Sequence, residues 1–409
     1  MITNTTNTMT RYFLICAWSV MIAVPVVAQK PNEALLRAKA AMQQQQYAKA
    51  TQEILTVPDH ERTPAMYLVL GESAYFSGNY GEAISVFESD RVKNLPEAQL
   101  YAARACAMTD QPARAAAYLQ KYLEQREKLS ESELQLDPAL EKMERSREWR
   151  MLWQKEWYNA AEQQAAEAMT LVRRKKYAEA LEVIDKALAN RSSSGKLYAV
   201  RAKVYEAMES YEPALESYQS AIQLRGNDPA LHAGASEMAV RLKKYELALE
   251  HAQRAVRLDP YRLEGYLQRA AVYRLLKQYE EAHKDIDFYF TYLPADTKAL
   301  YQMGLTETEA GRPLSGIEYF TLLIERDKTS AEYFAARAAA CIKAGRYGQA
   351  DDDLAQALDL NPRLPDAWLQ KGIALQQMDD AGEACHCWQK AMLLGSREAA
   401  TYIYKYCAR

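Results

Sequence analysis

Residues 263–296 decide the fold, and they read LEGYLQRAAVYRLLKQYEEAHKDIDFYFTYLPAD. The same skeleton returns when the sequence is shifted by 34 residues in either direction. One element, Tyr-x-x-Ala, recurs at multiples of that spacing: Tyr177/Ala180, Tyr211/Ala214, Tyr245/Ala248, Tyr279/Ala282 and Tyr347/Ala350. A second set of small residues keeps the 34-residue spacing without a break: Ala168, Ala202, Ser236, Ala270, Gly304, Ala338 and Gly372. A fixed period of this length indicates an array of helical repeats.

Small residues at fixed positions have a physical role in helix pairs. Two helices approach closely only where the side chains between them are small, so Ala or Gly is expected at the crossing point. One pair cannot bury its apolar face alone, and the pairs must therefore stack into a solenoid. The sequence has no alternating β-branched runs of the kind that form strands. It therefore predicts an all-α fold.

The repeat resembles the tetratricopeptide repeat (TPR), whose pattern combines an aromatic residue, Leu-Gly, Tyr, Ala, a second aromatic residue and Pro. Two copies match it closely, at Tyr67, Leu70, Gly71, Ala83 and Phe87, and at Trp368, Gly372, Ala384 and Trp388. The resemblance covers nearly all of the chain after Lys30. It implies a right-handed α-solenoid of about ten helix pairs with a C-terminal capping helix.

The repeats fall into two blocks. Residues 29–130 are expected to form an N-terminal block of three repeats, the first of them atypical because one of its faces meets water. Residues 161–398 are expected to hold seven repeats, and residues 399–409 the capping helix. Residues 131–160 break the period and are predicted to be a helical insertion after the third repeat.

The insertion carries Trp149, Trp153 and Trp157, spaced at i, i+4 and i+8. This spacing predicts an aromatic ridge along one face of a single helix. The ridge could belong to a degenerate helix pair that packs between the two blocks. Alternatively, it could be a docking ridge for a partner, since Trp is enriched at interaction hot spots.

Residues 1–28 have the features of a secretory signal peptide. Arg11 precedes an apolar run over residues 12–27, and Val26, Val27 and Ala28 are side chains that suit a signal-peptidase site. We expect cleavage after Ala28 and an exported protein without an integral membrane span, in the periplasm or cell envelope of a Gram-negative bacterium. The alternative is that the apolar run is retained as a membrane anchor.

No motif for catalysis or for a cofactor occurs in the sequence. None of the five His has a second His or Cys four residues on, and there is no His-Glu-x-x-His, no phosphate-binding glycine loop and no Gly-x-Ser-x-Gly. A formal charge of -3 gives no reason to expect nucleic acid as a partner. We therefore predict a protein without enzyme activity, cofactor or bound metal.

The cysteines suggest structural roles. Cys106 and Cys341 are expected to be buried between paired helices. Cys385 and Cys387 lie two apart on a helix and point to opposite sides, so they cannot share one metal ion. In an exported protein, a disulfide from Cys407 to Cys387 or to Cys385 is favoured over a shared metal ion, and the sequence leaves open whether this bond forms.

The resemblance also implies a binding surface, because TPR solenoids turn the first helix of each pair toward a concave groove. The candidate groove residues of the C-terminal block are Arg241, Leu267, Arg274, Tyr301, Leu305, Ile342, Leu369 and Ile373, with Lys298, Glu309 and Lys343 at the rim. Such a groove could receive a partner helix or an extended peptide. The same residues could instead only pack neighbouring repeats together. The carboxylate clamp of chaperone-binding TPR domains is not implied, because no equivalent residue pair here is Lys and Asn.

These features predict a non-enzymatic scaffold that mediates protein–protein interaction in the bacterial cell envelope. One alternative is a holdase or co-chaperone-like protein in the lumen of a secretory pathway, which would bind many unfolded chains weakly. A second alternative is a binding module for cell-wall glycan, for which exposed aromatic residues such as Tyr75, Phe76 and Tyr301 would be required. The sequence does not identify the partner, and it is also compatible with a homo-oligomer.

Overall fold

The computed structural model describes residues 32–189 and 194–407, and the predicted signal peptide at residues 1–28 lies outside these ranges. The described residues form twenty-three α-helices and two short 3-10 helices and contain no β-strand. The predicted all-α solenoid is confirmed. None of the described helices combines the length and the apolar character that a bilayer crossing requires.

The N-terminal part consists of three helix pairs followed by an irregular interval. The pairs are α1 (Glu33–Gln43) with α2 (Tyr47–Leu55), α3 (Pro64–Phe76) with α4 (Tyr80–Phe87), and α5 (Pro96–Met108) with α6 (Pro112–Leu123). The interval contains α7 (Glu131–Gln135) and α8 (Arg147–Leu152). The two 3-10 helices are Asp59–Glu61 and Glu141–Met143.

The C-terminal part consists of seven further pairs and one final helix. The pairs are α9 (Ala160–Arg173) with α10 (Tyr177–Ala189), α11 (Gly195–Ala207) with α12 (Tyr211–Leu224), α13 (Pro229–Arg241) with α14 (Tyr245–Leu258), α15 (Leu263–Leu275) with α16 (Tyr279–Tyr292), α17 (Thr297–Glu309) with α18 (Pro313–Arg326), α19 (Ala331–Lys343) with α20 (Tyr347–Leu360), and α21 (Pro365–Gln377) with α22 (Ala381–Leu393). The final helix is α23 (Arg397–Tyr406).

One left-handed residue closes the turn inside each pair. These residues have positive φ and are Gln45, Gly78, Asp110, Lys175, Glu209, Lys243, Lys277, Gly311, Gly345 and Asp379. After α15, the Lys277 N–H donates to the Arg274 carbonyl at 2.9 Å and the Gln278 N–H donates to the Tyr273 carbonyl at 2.8 Å. These bonds satisfy carbonyl groups that the helix end would otherwise leave unpaired. The same local device therefore reverses the chain in every pair.

The predicted close approach of paired helices occurs at glycine. A Cβ atom built on Gly304 would lie 2.7 Å from Cε1 of Phe320, and one on Gly71 would lie 2.4 Å from Cε1 of Phe87. Real Cβ atoms do not tolerate such distances, so only Gly lets these aromatic rings pack directly against the facing helix. The small residues of the repeat thus make room for large ones on the partner helix.

Gly304→Ala is therefore expected to lower the free energy of unfolding by about 1–3 kcal/mol, because the new methyl group must displace the fully buried Phe320 ring. Gly348→Ala in α20 is the matched control, since no heavy atom lies within 4 Å of the added methyl group. This control should leave stability unchanged or raise it by up to about 1 kcal/mol, because Ala is the better helix former. Urea unfolding followed by circular dichroism measures both, and equal effects would contradict the packing described.

The solenoid closes on itself. Leu36 and Ala40 of α1 are only 1% and 3% exposed, and they share one apolar cluster with Leu263, Tyr289 and Leu293 of the seventh pair and its flanking turn. Units of a solenoid ordinarily contact only their neighbours. The path of the chain here brings the seventh pair back onto the first. The expectation that a face of the first repeat meets water is wrong, because α1 buries that apolar surface against α15 and α16.

The insertion departs from its prediction. Helix α8 ends at Leu152, Trp153 caps it, and Trp157 lies beyond it, so the prediction that the three Trp share one helix is wrong. The Nε1–H of Trp157 donates to the Leu152 carbonyl at 2.8 Å. The chain thus turns back to satisfy an end carbonyl of α8 with an indole instead of continuing the helix. Trp149 is buried and contacts Trp153 edge to face, with ring centroids 5.4 Å apart.

The last helix caps the array, as predicted. The rings of Tyr402 and Tyr406 in α23 lie 5.1 and 5.6 Å from that of the fully buried Trp388. A disulfide joins Cys385 of α22 to Cys407 at the end of α23, which decides between the two pairings that the sequence left open. Cys387 is a free, buried thiol, as are Cys106 and Cys341.

Candidate protein-binding cleft

The first helices of three successive pairs, α15, α17 and α19, form an open cleft of ≈ 630 Å³, which we call the partner cleft. Its lining residues are Arg262, Glu264, Leu267, Gln268, Ala271, Thr297, Lys298, Tyr301, Gln302, Glu332 and Tyr333. Equivalent residues of neighbouring repeats meet in it, because many lining positions differ by the repeat length. A volume of this size is typical of a ligand site in a protein.

The floor of the partner cleft is apolar and partly aromatic. Leu267 is buried, and Ala271, Tyr301 and Tyr333 are half-buried. The rings of Tyr301 and Tyr333 lie 6.0 Å apart. Burial and the Glu332 carboxylate raise the pKa of Tyr301 above its usual range. The phenol is therefore neutral at physiological pH and can donate a hydrogen bond at the cleft surface.

The rim of the partner cleft carries both signs of charge. Arg262, Lys298 and Glu332 are exposed, and Glu264 is half-buried. This balance does not select a strongly charged ligand. It suits a peptide or helix that presents apolar side chains to the floor and complementary charges to the edge.

One polar atom in the partner cleft lacks a partner. The Oε1 atom of Gln302 is buried and accepts no hydrogen bond from any described residue. A buried acceptor that lacks a donor lowers the stability of the protein, and a hydrogen bond to it would be favourable. Because this atom is covered, a peptide in the cleft would reach it only after the Gln302 side chain moves.

The predicted groove residues are distributed over the array. Leu267 and Tyr301 meet in the partner cleft, whereas the Arg274 side chain is largely buried and forms an ion pair with Glu309. Leu305 and Ile342 pack against the cluster around Phe320, and Leu369 and Ile373 belong to the cluster around Trp388. Arg241 is exposed on α13 and faces Glu237.

Several lining residues of the partner cleft were not predicted, although the repeat spacing contains a signal for them. Glu264 and Glu332 flank Lys298 at intervals of one repeat, and Gln268 and Gln302 are also one repeat apart. Gln268 and Gln302 lie one position after Leu267 and Tyr301, and Glu264 lies three positions before Leu267. A wider definition of the same helix face would have included them. Tyr333 has no such signal, because it enters from the edge of the third helix.

Two histidines that lie 19 residues apart in the sequence meet in the structure. The Nδ1 atoms of His232 in α13 and His251 in α14 lie 3.1 Å from each other, and both side chains are buried. Burial lowers the pKa of both below the usual range. Two nitrogen ligands are fewer than a zinc site needs. Among the described residues, no group of three or more His, Cys, Asp or Glu could hold a metal ion.

A second cleft, of ≈ 330 Å³, lies where α1 and α3 meet the turn 259–262 before α15. Its lining includes Lys39, Met42, Gln43, Val69, Glu72, Asp259, Tyr261, Arg262, Leu263 and Glu264. The Nε2 atom of Gln43 donates to Oε1 of Glu264 at 2.6 Å. Because Arg262 and Glu264 also line the partner cleft, the two clefts adjoin.

Glu72 in the second cleft gives the protein a pH-dependent stability. Burial raises the pKa of Glu72 to about 7. The Lys39 ammonium opposes this rise, and the Glu97 carboxylate adds a smaller contribution to it. The unfolded chain releases this proton near pH 4.5, so the stabilisation is complete below that pH and is lost as the pH rises through about 7. Because solvent still reaches and screens the partly buried Glu72 carboxyl, we expect a loss of about 1–2 kcal/mol between pH 4.5 and pH 8.

Glu72→Gln should remove this pH-dependent contribution. Urea unfolding of the variant and of the wild type at both pH values gives the difference directly. Glu82→Gln, at an exposed carboxyl of α4, is the control and should keep the wild-type pH dependence. An unchanged pH dependence in Glu72→Gln would contradict the assignment.

A family model of the tetratricopeptide repeat matches residues 68–129, 165–229 and 199–262. The Protein SGT1 homolog of Oryza sativa subsp. japonica is 38% identical over 63 residues, which are 15% of this chain and 17% of that relative. The chain thus matches less than a fifth of the length of this curated relative.

A solved structure has the same fold. A tetratricopeptide repeat protein from Parabacteroides merdae ATCC 43184 is similar with a TM-score of 0.56 at 17% identity, over 61% of this chain and 99% of that chain. The APC/C hetero-tetramer Cut9-Hcn1 is similar over 93% of this chain and 97% of that chain, but a TM-score of 0.46 at 14% identity supports no argument. The recurring residues, the paired helices and the family match agree that the chain is a tetratricopeptide repeat protein.

Proposed function

We propose that the chain is a non-enzymatic scaffold that binds a peptide or helix of a protein partner in the partner cleft. Tetratricopeptide repeats imply a protein-interaction scaffold in general. The observation that carries the specific proposal is the open cleft across α15, α17 and α19, with its apolar floor and its mixed rim. These are the elements that recognise an amphipathic segment.

We also propose that the protein is exported and acts in the periplasm or cell envelope of a Gram-negative bacterium. The pattern of residues 1–28 supports export. The disulfide between Cys385 and Cys407 supports it independently, because such bonds persist in oxidising compartments. Mass spectrometry of the purified protein would test cleavage, since the mature chain should begin at Gln29.

The binding proposal is tested by crosslinked capture of the tagged full-length protein from its native cells. Ala271→Glu places a charge on the half-buried floor of the cleft without removing a packing side chain. Gln356→Glu, at an exposed position of α20, is the control. We expect one or two stoichiometric partners with the wild type and the control, and their loss with Ala271→Glu. A broad set of unfolded chains, insensitive to Ala271→Glu, would support the holdase alternative instead.

A further inference from the structure

The turn 259–262 lies against the first two helix pairs, far from it in the sequence. The backbone N–H of Asn32 donates to Oη of Tyr261 at 3.3 Å, across 229 residues. The Nζ atom of Lys39 lies 5.5 Å from the centre of the Tyr261 ring, in a cation–π arrangement. Tyr261 also packs against the apolar clusters on both sides of the closure. An aromatic residue of one turn therefore occupies a site on α1 and α3.

The surface that receives Tyr261 corresponds to the surface that forms the partner cleft. Lys39 and Glu72 each follow the small residue of their repeat by one position, as Ala271 follows Ala270. Both clefts are thus built from the same face of the first helices. Across α15, α17 and α19 this face is open, whereas on α1 and α3 the chain's own turn lies against it.

The turn itself is preformed by local bonds. The Tyr261 N–H donates to Oδ1 of Asp259 at 3.2 Å, and the equivalent turn after α20 has the same bond from the Arg363 N–H to Oδ1 of Asn361, at 3.1 Å. Two turns of the same local geometry thus differ in the side chain that they present. Because such a segment needs little ordering when it binds, it suits a short linear ligand.

We propose that the α1–α3 face is a second peptide-binding surface, and that its resident occupant is the chain's own turn 259–262. An external ligand for it would carry a tyrosine in a preformed turn headed by an acidic residue and Pro. The geometry of the closure carries this proposal, and it does not depend on what the partner cleft binds. The tethered turn competes with any external peptide at a high effective concentration. The surface is therefore available only in the fraction of molecules in which the closure is open.

The test is the binding of a fluorescein-labelled peptide with the sequence of residues 256–263, VRLDPYRL, to the full-length protein. We expect Tyr261→Ala to bind this peptide at least about tenfold more tightly than the wild type, because the loss of the Tyr261 contacts raises the fraction of molecules in which the closure is open. Arg363→Ala, the matched change in the equivalent turn, should behave as the wild type. The peptide in which Ala replaces the tyrosine should bind to none of the three. Fluorescence anisotropy measures the affinities.

A second variant covers the case in which Tyr261→Ala does not fold. Glu264→Ala removes only the hydrogen bond from Gln43 and should shift the affinity in the same direction, by a smaller factor. Equal affinities for the wild type and both variants, or no binding to either variant, would overturn the proposal. Sedimentation tests a different occupant: a dimer of the wild type that Tyr261→Ala dissociates would show that the turn comes from a second copy, which also overturns it.

Discussion

Asp353→Ala is expected to lower the free energy of unfolding by about 3–5 kcal/mol, because it leaves a guanidinium buried without its carboxylate. Arg337 of α19 holds Asp353 of α20 with both arms: Nε donates to Oδ2 at 2.9 Å and the second terminal nitrogen donates to Oδ1 at 2.6 Å. The two side chains are only 16% and 5% exposed. Arg269 and Asp285 repeat this pair two repeats earlier. Urea unfolding of the purified variant measures the loss.

The paired replacement of Arg337 by Met and of Asp353 by Leu is the control. It removes both charges and fills the space with apolar side chains, so most of the stability should return. This result would show that the cost of Asp353→Ala comes from the stranded charge. A loss below about 0.5 kcal/mol for Asp353→Ala would mean that water solvates Arg337 in the folded protein, contrary to its position in the structure.

Trp149→Ala is expected to cost a similar amount, about 3–5 kcal/mol, because a large buried side chain leaves a cavity. Trp149 is 7% exposed and belongs to the apolar cluster that joins the third pair to the insertion. If the Trp residues served only as a docking ridge, stability would be unchanged and association with a partner would be lost. Thermal and urea unfolding of the variant, together with the capture assay, separate these outcomes.

Leu136→Ala is the matched control for Trp149→Ala, since Leu136 lies in the same insertion and is 73% exposed. Its substitution should change stability by less than about 0.5 kcal/mol. Equal and small effects of both substitutions would contradict the internal role of Trp149. A loss of stability confined to Trp149→Ala would support the packing interpretation over the docking ridge.

The helix pairs could be predicted because their information is local and repeated. A small residue such as Gly304 and the aromatic ring that it admits, Phe320, recur at fixed spacing, and each copy strengthens the inference from the others. The insertion has no second copy. The 3.6-residue spacing of Trp149, Trp153 and Trp157 is compatible with one helix, but spacing alone cannot show where a helix ends. Helix α8 ends at Leu152, and the indole N–H of Trp157 donates to the Leu152 carbonyl in place of the next helical N–H.

The closure of the array could not be predicted from the sequence. It rests on contacts such as that between Asn32 and Tyr261, which are 229 residues apart. Such contacts depend on the small rotation from each pair to the next, summed over the whole array. A repeat pattern specifies that each pair is rotated relative to the one before it, but it does not give the total rotation over the array. The apolar character of Leu36 and Ala40 is evident from the sequence, but the sequence does not indicate which residues cover them.

The partner cleft could be predicted only in part. The equivalence of Leu267 and Tyr301 placed both on one surface, and the structure joins them in one cleft. The position of the cleft along the array was not predictable, because Leu369 and Ile373 of α21 occupy equivalent positions but pack in a cluster with α22 and the capping helix α23. Which copies of a repeated surface stay open depends on what packs over them.

The most direct test of the binding role is photo-crosslinking in the native cells from single positions of the full-length chain. A photoreactive residue at Gln268, exposed at the partner cleft, is compared with one at Lys284, exposed on α16 outside it. A scaffold that binds its partner in this cleft predicts a discrete adduct from Gln268, none from Lys284, and its disappearance when Ala271→Glu is added. The absence of any adduct from Gln268, or the same adducts from both positions, would contradict it.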